Sequence, residues 1–503
     1  MYIRILNIAK EMEAVLHIKK LQANLRNRHR SIEMLSIVYL VIPYVIFCLT
    51  WLNPWMATLS TLVIAWVLRN SILTSAKNPP KLKLTKRHVL LTSAAIAIII
   101  MFWVFFSGVG GFTAQSGDYL KHNAIFHDLI EYKWPVIYSN GSSLSYYIGY
   151  YLPSAAFGKI FGANAADYFQ LLWLAGGVFL VFYWLCRLTK SIRIWLALLL
   201  VGFSGMDIIG RLIFENNLPS LGFLALEWST SPDIGIWQYS ANATLLDWTP
   251  QHAIAGWIVT AMIIAEYVEK KEKKNTLFLY SLIWLTSPLI ATWLGVFVFS
   301  ILAASYRKWR TFISVQNIAF PLLMAVIIGS FFLTNLYSQP YGFIWDFIDF
   351  RANIVNLILF NLLEYGIYAA LIFPYVRERE SKEWQVLFGV AVAMLAIMPL
   401  FMYGLYNDQL MRGSIPALFI LMVLIARMLM GDKNRVRKIA LTACLMIGAV
   451  VPIYEIWNHL DIGAPKYNDW ISIDNQAMDP GTRNLANQYY GDRDSFFFKY
   501  LAQ

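Results

Sequence analysis

Apolar stretches of about 18–22 residues recur along this chain, a length that carries an α-helix across the hydrocarbon core of a bilayer. Spans are read near 33–50, 55–69, 89–107, 166–187, 192–207, 251–268, 275–288, 289–304, 313–335, 353–376, 384–403, 410–430 and 438–456. The pattern predicts an all-α polytopic membrane protein of about 13 transmembrane helices. Residues 143–162 are nearly long enough to be a further span. Their four tyrosines, Pro153 and Lys159 suit an interface better than hydrocarbon. They are read as an amphipathic surface helix, so the first long outer loop runs over 108–165 and holds two such helices. A second outer loop covers 208–250. Loop 337–352, with Tyr341, Phe343, Trp345, Phe347 and Phe350, is read as a surface helix facing lipid.

Charge orients this pattern. With alternate loops assigned to one face, 31 of the 41 Lys and Arg residues fall there with 10 acids, a net of +21. The opposite face holds 10 basic and 19 acidic residues, a net of −9, and Glu364 lies inside a span. Positive loops stay in the cytoplasm, so the N-terminus is expected inside and the C-terminus and loop 108–165 outside. The overall charge of +11 is therefore a topology signal, and no nucleic-acid partner is expected. A moderate charged fraction of 14% against 58% apolar residues agrees with a membrane protein.

The divisions that follow are 1–32, a basic cytoplasmic lead-in; 33–88, two extra spans and a cytoplasmic linker; 89–456, the main transmembrane module; and 457–503, a short outer tail. Ile18, Leu21 and Leu25 fall on one helical face of the lead-in. No cleavable signal peptide is expected, because 1–32 lacks an apolar h-region. Cys48, Cys186 and Cys444 lie in or beside apolar spans without metal spacing and read as small core residues.

Chemistry concentrates at 116–135, which holds two Asp, two His, two Lys and one Glu in a protein with 7 His. One reading is structural: Asp118 caps a helix over 119–132 stopped by Pro135, and Lys121 pairs with Asp128 one heptad on. The other makes Asp118, with Asp128, the catalytic carboxylates, and Lys121, His122 and His127 the groups that hold a phosphate. Asp247 and His252 stand at the mouth of a span on the same face. Arg412 lies at an outer helix end, able to hold a lipid phosphate bidentately or to pair with Asp408 at i−4. Glu364 is at a depth where a carboxyl is expensive and is a functional candidate for that reason.

The long outer loop with an acid soon after a span, and the stretch Tyr-Tyr-Ile-Gly-Tyr-Tyr-Leu-Pro-Ser-Ala-Ala-Phe-Gly-Lys-Ile-Phe-Gly at 146–162, resemble the GT-C superfamily of membrane glycosyltransferases. The likeness is to the protein O-mannosyltransferase and lipid A aminoarabinose transferase type. It would cover about residues 89–456. It implies an inverting hexosyl- or pentosyltransferase that takes a polyprenyl-phosphate-linked sugar. Asp118 would be general base, and Lys121, His122, His252 and Arg412 would steady the departing phosphate. A glycan, lipid or protein would be the acceptor, outside a bacterial plasma membrane. Gly-Asp-Tyr replaces the family's acidic pair, so no cofactor is assigned and a divalent metal is left open. The alternatives are a transporter or flippase, which needs more polar residues within its spans than Glu364, and a polysaccharide polymerase or ligase, which would lean on outer Arg and His.

Overall fold

Backbone polar groups have no partners in lipid except one another, so apolar sequence of bilayer length must wind into helix. The computed structural model describes residues 31–71, 86–215, 227, 236–269, 273–404, 406–466, 471–478 and 486–503. The lead-in at 1–30, residues 72–85 of the expected linker and most of 216–235 lie outside the described residues. Among the described residues, nine helices are long and apolar enough to cross a membrane: Ser31–Trp51, Ala163–Thr189, Ile194–Ile213, Pro250–Glu269, Val315–Phe332, Phe350–Arg379, Lys382–Leu400, Asp408–Gly431 and Arg435–Asn458. The chain is an all-α polytopic integral membrane protein whose apolar helix faces contact lipid. Each of the nine answers an expected span. Helices Pro54–Ser71, Lys86–Phe105 and Pro288–Ala304 occupy three more expected positions. The last of these bends by 112° into Tyr306–Phe312.

Segment 275–288 departs from expectation, for its only helix is the six-residue Thr276–Ser281. Turns follow as far as Ser287, and Pro288 begins the next helix. Tyr44 repairs the broken backbone: its hydroxyl donates to the Ser281 carbonyl at 2.7 Å and accepts from the Leu285 N–H at 3.1 Å. The segment still connects the two ends of helix Pro250–Glu269. The Asn275 N–H reaches Glu266, and Ser287 reaches His252. Positions 252 and 266 are about 21 Å apart at 1.5 Å per residue.

Residues 143–162 do not form a spanning helix. Their one α-helix, Leu152–Phe161, has 10 residues and is about 15 Å long, half a bilayer core. Both ends of the segment are tied to the preceding acidic stretch. The Leu144 N–H donates to Val136 O at 3.0 Å, and Lys159 Nζ donates to Ile130 O and Tyr132 O. Gly158 permits the packing, because a Cβ there would stand 2.8 Å from that of Ala166.

Loop 337–352 is a correction. Strand Tyr341–Phe343 pairs antiparallel with Phe401–Tyr403, and a 3₁₀ turn replaces the expected surface helix. Aromatic residues alternate around Gly342, a pattern that fits a strand. Asp349 then caps the next helix by accepting from the Arg351 and Ala352 N–H groups. Tyr341, Phe343, Trp345 and Phe347 remain exposed.

Two sets of polar contacts mark the two ends of the bundle. At one, Arg187 pairs with Glu33 and Glu269, and Arg427 holds Glu380 and the Leu188 carbonyl. At the other, the tail folds back among the loops. Tyr490–Gly491 pairs with Ser143–Leu144, Phe497 packs against Phe47 and Phe331, and Ala502 bridges to Leu52.

Candidate functional site

Helix Tyr119–Glu131 begins at Asp118, yet the Asp118 side chain makes no capping hydrogen bond. Its Oδ2 lies 3.0 Å from Lys121 Nζ, one turn into the helix. Arg412, on the short helix Asp408–Gly413, brings Nη2 to 4.0 Å from the same oxygen and also pairs with Asp408. Asn407, in the left-handed conformation, turns the chain into that helix. Gly413 lets it approach Trp293, where a Cβ would sit 2.4 Å from the ring.

Lys121, Arg412 and Asp408 form the charged wall of a cavity of about 330 Å³. Tyr146, Tyr147, Tyr403 and Tyr489 contribute rings, and Asn335, Gln339 and Gln488 contribute amides. The volume suits one polar head group. Apolar Leu289, Phe332 and Leu333 also line it.

Burial opposes charge on Asp118, but Lys121, His122 and Arg412, with the hydrogen bond from Lys121, outweigh it and hold the carboxyl below its ordinary value. Burial likewise opposes charge on Lys121, and Asp118 reverses the effect and raises the ammonium. The pair is ionised at neutral pH. Burial raises the phenols of Tyr146 and Tyr147, so both remain neutral donors.

His252 lines the same cavity. Ser287 Oγ accepts the Ile290 N–H and stands 2.6 Å from His252 Nδ1. His122 is a strut outside the cavity lining. Its Nε2 donates to Trp248 O at 3.0 Å, and its Nδ1 accepts from the Tyr151 hydroxyl at 2.6 Å. Burial, reinforced by Lys121 and resisted by Asp118, pushes His122 down to about 4.

The structure separates Asp128 and His127 from the cavity. Asp128 is fully buried and accepts from the Tyr138 hydroxyl at 2.9 Å and the Ile473 N–H at 3.0 Å. His127 Nδ1 lies 3.0 Å from its other oxygen. The expected pairing of Lys121 with Asp128 does not form, for a nearer acid at i−3 takes the ammonium. Asp247, on helix Asn242–Trp248, is also fully buried away from the lining, beside Glu455 and His459. Glu364 sits buried in a π-helical turn, Leu362–Gly366, and does not line the cavity.

Gln488 and Tyr489 were invisible as site residues, because a polar tail carries no periodic signal. Tail strand pairing places them: Asn335 Nδ2 donates to Gln488 O at 2.9 Å, and the Ser145 N–H donates to Tyr489 O at 2.9 Å. Tyr146, Tyr147 and Asp408 stood within stretches that the sequence does single out. No family model, curated protein or solved structure matches the chain.

Proposed function

We propose that the protein is a membrane glycosyltransferase that moves a hexose or pentose from a polyprenyl-phosphate donor to an acceptor hydroxyl. The observation that carries this reading is Asp118, free of capping duty and ion-paired with Lys121 and Arg412, which line a head-group-sized cavity while the carboxylate stands behind them. The donor phosphate takes up the two cations and frees the carboxylate. Asp118 then accepts the acceptor's O–H proton as oxygen attacks the anomeric carbon. The carbon–oxygen bond to phosphate breaks on the opposite face, so the configuration inverts and polyprenyl phosphate departs with the bonding electrons. Arg412, through its planar fork, and Lys121 stabilise that growing charge. Exposed Tyr341, Phe343 and Trp345, near the Tyr403 wall, give the isoprenoid an apolar path.

In this reading the cavity and C-terminus face outward from a bacterial plasma membrane, the N-terminus is cytoplasmic, and the acceptor is a glycan, lipid or protein. Loop charge supports that orientation. The test is release of polyprenyl phosphate by purified protein from a panel of polyprenyl-phosphate hexoses and pentoses. At least one donor should be consumed, and consumption should depend on Asp118. The reading fails if every donor is returned intact, or if Asp118→Asn consumes it at the wild-type rate.

A further inference from the structure

Asp247, Glu455 and His459 take no part in the reaction proposed above, yet they meet in a fully enclosed place between helices Asn242–Trp248 and Val450–Asn458. One ligand-capable atom from each lies within 4.8 Å of the other two. Ligands at ordinary zinc distances of about 2.0–2.2 Å sit about 3–4 Å from one another, so the set contracts when it takes an ion.

The second observation is the state of the carboxylates. Asp247 is completely buried, and neither of its oxygens accepts a hydrogen bond among the described residues. The nearest cationic candidate is the His459 ring, with Nδ1 3.7 Å from Asp247 Oδ2. That Nδ1 is already engaged, at 2.7 Å from the Glu455 main-chain oxygen. Glu455 Oε2 accepts from Trp248 Nε1 at 3.3 Å, while Oε1 has no partner. Two buried acids with three unpartnered oxygens leave a large desolvation cost unmet.

We propose that Asp247, Glu455 and His459 bind one divalent transition-metal ion. The ion's charge balances the two carboxylates and occupies their empty lone pairs. The nitrogen that faces Asp247 is Nδ1, so binding takes Nδ1 from the Glu455 carbonyl and leaves the ring proton on Nε2. One nitrogen and two carboxylates select Zn²⁺ or Mn²⁺ over Ca²⁺ and Mg²⁺, which prefer all-oxygen sites. The ion would brace the loop that carries Asp118, because Ser116 Oγ donates to Asp247 O at 3.1 Å and His122 holds Trp248 O.

The competing arrangement is a proton shared by Asp247 and Glu455. Purified full-length protein, stripped with chelator and re-equilibrated with Zn²⁺ or Mn²⁺, separates the two by elemental analysis after desalting. About one equivalent per chain is expected, lost in Asp247→Asn/Glu455→Gln. No retained metal, or equal retention by the double variant, overturns the site. If that variant fails to fold, X-ray absorption at the zinc edge of wild-type protein decides. A shell with one imidazole and carboxylate oxygens is expected, and a shell without imidazole overturns the proposal. Neither readout depends on sugar transfer, so this site and the proposed activity stand or fall separately.

Discussion

Asp118 and Lys121 face each other at 3.0 Å from adjacent turns of one helix start, while the backbone N–H groups beside them go uncapped by the carboxylate. Helix N-termini favour an acidic side chain in either role. Here the carboxylate has given up the cap for a cation, and Arg412 approaches the same oxygen from a distant helix.

Asp118→Asn should therefore keep the fold, less stable for want of its pairing with Lys121 and Arg412, and lower transfer by roughly 10²–10⁴-fold, the usual loss for a missing general base. Because no capping bond exists, Asp118→Ala should behave alike rather than add the loss of about 1 kcal/mol that a cap would bring. Rates and melting temperatures of the two purified variants check this. Activity within a few-fold of wild type removes Asp118 from the chemistry.

Arg412→Lys keeps the charge and loses the fork that can hold Asp408 and a phosphate together. Charged hydrogen bonds are worth about 1.5–3 kcal/mol, so kcat/KM for the lipid donor should fall roughly 10–150-fold. Donor titration in detergent measures it. An unchanged value would confine Arg412 to its pairing with Asp408.

The spans were legible because bilayer length and apolarity leave helix as the only solution, and nine of the thirteen expected spans meet the full criterion. Segment 275–288 misled because composition does not register the break that Tyr44 bridges from another helix. At the site, Asp118, Lys121 and Arg412 converge, and His252 lines the same cavity as the two cations. Asp128 carried the same local signal and went elsewhere, since Tyr138 and the Ile473 N–H claim its oxygens. Those partners are set by tertiary docking of a tail whose sequence announces nothing.

That docking yields a third prediction. Asn at position 128 would present an amide N–H where a donor now points, costing about 1–3 kcal/mol. Amide exchange in 473–478 and 486–491 should accelerate, since Asp128 ties down Ile473 and the tail pairs with Ser143–Leu144. Transfer should fall much less than in Asp118→Asn. A loss as large as that of Asp118→Asn with unchanged exchange would restore a catalytic role to Asp128.

Topology can be read with single cysteines at Asn140 and Asn164, both exposed, in a protein lacking Cys48, Cys186 and Cys444. An impermeant reagent applied outside should label both. A cysteine at exposed Lys190, at the opposite end of helix Ala163–Thr189, should stay unlabelled until the membrane is opened. Labelling of only one of the first two would mean that the chain crosses between them.

His122 offers a test through pH. Burial holds its ring at about 4 in the folded protein, against an ordinary value near 6.5. Above about pH 6.5 the ring is neutral folded or unfolded, and it contributes no pH dependence. Between those values the unfolded chain binds a proton that the folded one refuses, so stability falls as pH falls. At 1.36 kcal/mol per unit, the contribution is about 2 kcal/mol lost by pH 5. His122→Gln can still donate to Trp248 O and accept from Tyr151, but it does not titrate. Wild type should therefore lose more stability than the variant between pH 7 and pH 5 in matched detergent unfolding curves. Asp118, held below the ordinary carboxylate range, adds no slope there: its stabilisation is present above that range and is lost only as pH drops through its lowered value. Parallel curves for the two proteins would mean that the His122 ring accepts a proton at Nδ1 in place, and that the bond from Tyr151 does not hold it neutral.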